Sequence, residues 1–300
     1  EGSEGAVTVT IPTRSWELLK VTDTDIWGSL LELFTPPPET RLTLGTGRDT
    51  RPYHKRYKEL RVCKIWAIRL PEQSYQAKKD KVKTQLAAIE EVSPAGIKRT
   101  ATTPTLCDEV GRRFGLDAAC NEKLLLHGTK ASVIEMILTN GVDERYTSER
   151  AAFGYGVYLA EDPSKVDQYC EPDDNPASND FVVQRLHDLL YEAQGDLHPG
   201  EVFYALVCKV LLGCPLYTKG PAAPGVPTSV QGPTASCEPG QVVFANNARR
   251  QLANVPGTMI PYHSLIVEKG RNSAVKRHRE FVVFDGNAVL PMYLVAYTRE

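Results

Sequence analysis

Apolar positions along this chain change period several times, and each change marks an expected element. Over 23–34 they recur at helical spacing, with Ile26, Trp27, Leu30 and Phe34 on one face, until Pro36-Pro37-Pro38 stops the pattern. Residues 39–56 are polar and read as a loop, whereas 1–12 are small and β-prone. Over 58–70 the spacing alternates, which predicts a strand with Leu60, Val62, Trp66 and Ile68 pointing one way and Pro71 closing it. A helix is predicted over 72–92, where Tyr75, Val82, Leu86 and Ile89 form the apolar stripe and lysines occupy a solvated face. It ends before Ser93-Pro94-Ala95-Gly96. Leu124-Leu125-Leu126-His127 reads as a buried strand running into Gly128-Thr129. Ser132 or Thr129 is the expected cap of the next helix, which stops at Asn140-Gly141.

The richest stretch is 152–170. Gly154 and Gly156, one residue apart, allow a tight turn, and 157–160 reads as a buried strand carrying Tyr158. Asp162 then sits where an N-cap belongs with Pro163 at the first helical position, so a helix is expected to run to about Cys170. Lys165 and Tyr169, four apart, share one face of it. Tyr158 and Tyr169 either hold a flat ring between them or are core aromatics. Downstream, a helix is expected over 181–192, a core strand over 201–212, and a long Pro/Gly-rich loop over 217–240. Short strands follow within 257–267 and over 280–284 and 293–297. Without regular β-α-β alternation, this order predicts an α+β domain with a largely antiparallel core.

Composition narrows the function without naming it. At 300 residues and 42% hydrophobic content the chain has ample material for a core. A net charge of −2 argues against strong non-specific attraction to nucleic acid or anionic membrane. No apolar run approaches a membrane span, and no signal peptide opens the chain, which starts at Glu1 and reads as a fragment of something longer. Seven cysteines, an odd number with no C-x-x-C pair, suggest a reducing intracellular compartment, cytoplasmic or nuclear. Six histidines are dispersed without a His/Asp cluster in the sequence, so no metal is expected. The dinucleotide fingerprint, the P-loop and the nucleophile elbow are all absent.

Three segments fit together. Leu126-His127-Gly128-Thr129, Gly154-Tyr155-Gly156-Val157-Tyr158-Leu159-Ala160-Glu161 and Glu280-Phe281-Val282-Val283-Phe284-Asp285 closely resemble the signature segments of poly(ADP-ribose) polymerase-type ADP-ribosyltransferases, with their His-Tyr-Glu triad. Ser164-Lys165 with Tyr169, the strand-like Leu206-Val207-Cys208-Lys209-Val210-Leu211-Leu212-Gly213, Tyr262-His263-Ser264-Leu265-Ile266-Val267 and Tyr293-Leu294-Val295-Ala296-Tyr297 extend the likeness. Tyr75-Gln76-Ala77-Lys78-Lys79 is similar to a segment of the mono-ADP-ribosylating branch.

The resemblance implies the ADP-ribosyltransferase fold, an antiparallel split sheet with short flanking helices. Residues 1–54 would be an extension of unknown role and 55–300 the catalytic domain. It implies NAD+ as co-substrate and no metal, with Glu280, His127 and Tyr158 catalytic. His127 would bond the adenosine ribose, the Gly128 backbone would grip the carboxamide, Tyr158 and Tyr169 would sandwich the nicotinamide, and Thr129 and Lys165 would complete the donor-binding set. Partners would be protein acceptors, with no membrane and no nucleic-acid requirement, since 1–55 do not resemble the regulatory domain of the DNA-break-activated enzymes. Val166 stands where many members have a hydroxyl, and His263 where the family has Asp. The product is expected to be mono- or short oligo-ADP-ribose, and the rival reading is a catalytically silent NAD+- or ADP-ribose-binding module.

Overall fold

Two sheets, largely antiparallel and joined at one point, organise the fold. The computed structural model describes residues 15–46, 57–92, 106–148, 151–219, 242–271 and 273–300. The larger sheet is built, in spatial order, from β1 (Glu17–Lys20), β2 (Leu60–Arg69), β9 (Val289–Arg299), β5 (Phe203–Leu211) and β3 (Glu122–Thr129), antiparallel throughout. The smaller contains β4 (Val157–Leu159), β8 (Glu280–Val283), β7 (Ser264–Val267) and β6 (Pro215–Thr218). Only its β6–β7 pair is parallel. An isolated antiparallel bridge between Leu126 and Ala160, with backbone hydrogen bonds of 2.8 and 2.9 Å, ties β3 to the end of β4. The arrangement is the α+β class with a split antiparallel core.

Alternation on the central strands separates two apolar layers, because successive side chains leave a strand on opposite faces. On β5, Phe203, Ala205 and Val207 pack into one layer, while Tyr204, Leu206, Cys208 and Val210 pack into the other. The first layer is closed by α1 (Thr24–Leu33), α4 (Leu106–Gly111) and α6 (Pro163–Asp167), through Leu30, Leu33, Val110 and Val166. The second is closed by α3 (Gln73–Val92), α5 (Ala131–Asn140) and α7 (Phe181–Leu190), through Val82, Leu86, Ile134 and Leu186.

Several expectations need correction. The strand over 58–70 forms, but its apolar residues do not all point one way. A register shift between Val62 and Lys64 inserts one residue, so Leu60, Val62 and Ile65 face the α1 layer while Trp66 and Ile68 face the α3 layer. A β-bulge does this by leaving one residue unpaired, which reverses the alternation beyond it. Part of the expected 39–56 loop is a short helix, α2 (Pro38–Arg41), opened by Pro38 in the first turn. The cap of α5 is Lys130, without a side-chain hydrogen bond, and neither Thr129 nor Ser132; Thr129 is still paired in β3. The helix predicted from Asp162 stops at Asp167, and the chain turns through Tyr169 and Cys170 on three-residue hydrogen bonds. The expectations for 1–12, for the breaker at 93–96 and for most of 217–240 fall outside the described residues. Among the described residues, no helix is long and apolar enough to cross a membrane.

Candidate active site

The bridge between Leu126 and Ala160 brings the end of β3, the end of β4 and the start of α6 to one place. His127, next along β3, has Nδ1 2.9 Å from the Tyr158 carbonyl oxygen. A carbonyl only accepts, so Nδ1 carries the ring proton and Nε2 keeps its lone pair. Burial lowers the His127 pKa, which holds the ring neutral at physiological pH. The result is a fixed acceptor at Nε2. Gly128 follows, and a Cβ there would meet the Val166 carbonyl oxygen at 2.6 Å and Cys170 Sγ at 3.1 Å. Glycine at this position therefore lets α6 lie directly on β3. The hydroxyl of buried Thr129 has no hydrogen-bond partner among the described residues.

Tyr158 is fastened at its far end. Its hydroxyl accepts from the Phe153 N–H at 2.8 Å and donates to the Gly154 carbonyl at 2.9 Å. Burial raises its pKa well above the ordinary phenol value, so it stays protonated. The two glycines of the Gly-x-Gly pair explain how this loop fits. A Cβ on Gly156 would meet Val283 O and Val282 Cγ1 at 2.6 Å, and Gly154 sits at φ +91°.

The helix α6 presents Lys165 and, just beyond its end, Tyr169. Lys165 Nζ is 2.7 Å from Glu280 Oε1, with side chains only 5% and 9% exposed. The same ammonium lies 5.2 Å from the centroid of the Tyr169 ring. Tyr169 is 45% exposed, so part of this side chain meets solvent beside a buried ion pair. Glu280 starts β8 opposite Val267, and the β4–β8 register, with Leu159 opposite Phe281, places it next to Ala160. His127, Tyr158, Lys165, Tyr169 and Glu280 thus gather around the point where the two sheets join. Val166 is buried against Gly128 and offers no hydroxyl there.

Asp162 was expected only as a helix cap, and His278 and Arg279, just before Glu280, were not singled out in the sequence. His278 Nδ1 lies 3.2 Å from Asp162 Oδ2, and Arg279 Nε and Nη2 lie 3.0 and 3.2 Å from the two oxygens of Glu161. Asp162 also accepts from the Ser164 N–H at 2.9 Å as the helix cap. Residues 278, 279 and 280 therefore pair with 162, 161 and 165, so the strand carrying Glu280 is buttoned to the helix carrying Lys165. The signal was available as charge complementarity, His-Arg-Glu against Glu-Asp-x-x-Lys, but nothing in one dimension sets the two runs side by side. On the other side of α6, Asp167 accepts from Tyr297 OH at 2.8 Å and Arg299 Nε at 2.9 Å, which holds the helix against β9.

His263, the departure from the family's Asp, keeps one role of a carboxylate. Its Nδ1 accepts from the Cys214 N–H at 3.0 Å, so Nε2 carries the proton and faces Gln85 Oε1 at 3.1 Å. Burial, helped by Lys78, pushes its pKa down to about 4. The histidines are also less dispersed than their sequence positions suggest, because His187 and His198 converge on Asp173.

No curated protein matches this chain. The profile of the Poly(ADP-ribose) polymerase catalytic domain does, over residues 48–299. A match over most of the chain, with the split antiparallel core, means that this chain belongs to the poly(ADP-ribose) polymerase catalytic-domain family.

Proposed function

We propose that this chain cleaves the nicotinamide–ribose bond of NAD+ and transfers ADP-ribose to a protein acceptor, one or a few units at a time. The observation that carries the reading is the buried Lys165–Glu280 pair beside Tyr158, Tyr169 and the fixed acceptor of His127. The free Nε2 lone pair of His127 suits a ribose hydroxyl donor, and the unpartnered Thr129 hydroxyl is a buried polar group that a bound ligand would satisfy. Tyr169, partly exposed beside the pair, suits a flat ring, and such stacking contributes about 0.5–1.5 kcal/mol beyond buried area.

In the reaction the C1–N bond breaks heterolytically and its electron pair leaves with nicotinamide, while positive charge develops on the ribose as in glycoside cleavage. Nicotinamide leaves readily, so orientation and charge stabilisation are the main tasks. Glu280 is the group for both: its carboxylate can hold a ribose hydroxyl, face the cation and polarise an acceptor hydroxyl, which gives up its proton as the new C1–O bond forms. At about 4 Å and an effective dielectric near 20, a unit-charge pair interacts by roughly 4 kcal/mol, less the cost of desolvation. Lys165 fixes the Glu280 carboxylate before substrate arrives.

The limited product length is supported by the similarity of 75–79 to the mono-transferring branch and by the long, Pro- and Gly-rich connection 219–263 between β6 and β7. The silent-module reading rests on Val166, which withholds a hydroxyl from the carboxamide. Labelled NAD+, an acceptor lysate and a denaturing gel test both. The proposal expects discrete labelled bands that Glu280→Gln abolishes. Long polymer would overturn the product-length claim, and unlabelled protein that still binds NAD+ would establish the silent module.

A further inference from the structure

Between α6 and β5 the chain makes an excursion, residues 171–202, that closes on itself. Asp173 lies near its start, His187 in the last turn of α7, and His198 shortly before β5. One ligand atom from each lies within 4.8 Å of the other two. His187 Nε2 is 2.8 Å and His198 Nε2 3.3 Å from Asp173 Oδ2, and all three side chains are only 5–6% exposed. The Tyr204 hydroxyl donates to the same oxygen at 3.0 Å, and the Tyr191 hydroxyl is 2.9 Å from that of Tyr204.

We propose that Asp173, His187 and His198 form a binding site for one divalent transition-metal ion of the Zn2+ class, which clips the start, middle and end of this excursion together. Two imidazole nitrogens and one carboxylate oxygen are a donor set that favours borderline divalent ions over Mg2+ or Ca2+. The spacing suits it. With bonds of about 2.0–2.1 Å at tetrahedral angles, neighbouring ligand atoms stand roughly 3.3 Å apart, close to the separations to Asp173 Oδ2. Three protein ligands leave a further position for water. Tyr204, backed by Tyr191, orients the carboxylate from behind, the arrangement by which outer groups fix a ligand.

The same atoms also make hydrogen bonds, in which His187 and His198 both donate from Nε2 to Asp173 Oδ2, and the metal-bound arrangement differs at both rings. The Gly200 N–H donates to His198 Nδ1 at 3.2 Å, so the hydrogen-bonded form carries its ring proton on Nε2. A metal on Nε2 requires that proton on Nδ1, and Gly200, half-exposed at φ +92°, then gives its N–H to water. Metal loading therefore displaces the Nε2 proton of both rings, and at His198 it reads out as a move of that proton to Nδ1. The clip sits behind the donor-side strands without touching the reacting groups: Tyr204 pairs with Thr129 across β5 and β3, and Asp173 follows Tyr169 by four residues. Its role is structural, and it stands whether or not the chain transfers ADP-ribose.

The test uses the full chain, stripped with chelator and titrated with Zn2+ or Co2+ alone. The expected result is one ion per chain by elemental analysis and a Co2+ visible spectrum. The Tm should rise by about 5 °C or more at a hundredfold excess over Kd. The 15N spectrum should show His198 moving its proton from Nε2 to Nδ1. His198→Gln, in a loop, should lower affinity at least a hundredfold. Should Asp173→Asn fail to fold, Tyr204→Phe should still fold and weaken binding about tenfold. An unchanged Tm and tautomer under metal would overturn the proposal and leave a purely hydrogen-bonded cluster. Metal bound equally by wild type and His198→Gln would place the ion elsewhere and overturn it as well.

Discussion

Replacing Lys165 by Met removes the cation from beside Glu280 while keeping the length of the side chain. Glu280 has Lys165 as its ion-pair partner at 2.7 Å, and the two side chains are 5% and 9% exposed. Water therefore cannot replace the lost ammonium without entering the packed corner between α6 and β8. Breaking a buried pair from one side costs about 3–5 kcal/mol, and the partly exposed Tyr169 beside the pair puts this case at the lower end, about 3 kcal/mol. Glu280→Gln should cost less, because the amide oxygen still accepts from Lys165 and the ammonium keeps its contact with the Tyr169 ring. The double variant should be less destabilised than the sum of the singles, by about 2 kcal/mol. Equilibrium urea unfolding of the four proteins, without NAD+, measures this directly. A Lys165→Met cost within 0.5 kcal/mol of zero, with no coupling in the cycle, would mean that solvent screens the pair and that the buried-pair argument is wrong.

Three further outcomes follow from the same geometry. Tyr169→Ala should weaken NAD+ binding about tenfold and Tyr169→Phe less than twofold, since the ring face carries the contact; equal losses in a titration would point to the hydroxyl. His263, with a pKa pushed down to about 4 by burial and Lys78, is neutral when folded and takes up a proton sooner when unfolded. Stability is then full above about pH 6.5 and falls by up to roughly 3 kcal/mol as pH drops toward 4, a loss that pH-dependent unfolding should find reduced in His263→Asn. Val166→Ser should tighten nicotinamide-mimicking inhibitors about two- to tenfold by adding a hydrogen bond, while costing the unliganded protein about 1 kcal/mol for a buried hydroxyl, both read by thermal shift.

Local rules reached the elements whose signals are local. The apolar stripe of α3 is Tyr75, Val82, Leu86 and Ile89, all buried, as its spacing required. Asp162 and Pro163 start α6 as cap and first-turn proline. What escaped depends on partners distant in sequence. The bulge near Cys63 is invisible without β9 beside it, and it turned an apparently uniform stripe into two half-stripes facing different layers. The short edge strand β1 exists through its pairing with β2, and Leu19 on it is 38% exposed, so its own pattern is weak. His127 and Glu280 were found through their flanking motifs, whereas the pairing of Glu161 and Asp162 with Arg279 and His278 became visible only once two segments more than a hundred residues apart were adjacent.

The parallel pairing of β6 with β7 has an evolutionary consequence. A hairpin between antiparallel strands ties loop length to register, but a parallel pair needs a crossover whose length does not set the pairing. Here residues 219–263 make that crossover, and Ser264 lies opposite Pro215 at its return. The length of the crossover therefore does not set the β6–β7 register, while β7 goes on holding β8, and with it Glu280, in register. Length in this crossover can therefore change over evolution without moving the strand that carries Glu280, provided the buried Val243, Phe244, Leu252 and Val255 keep their packing.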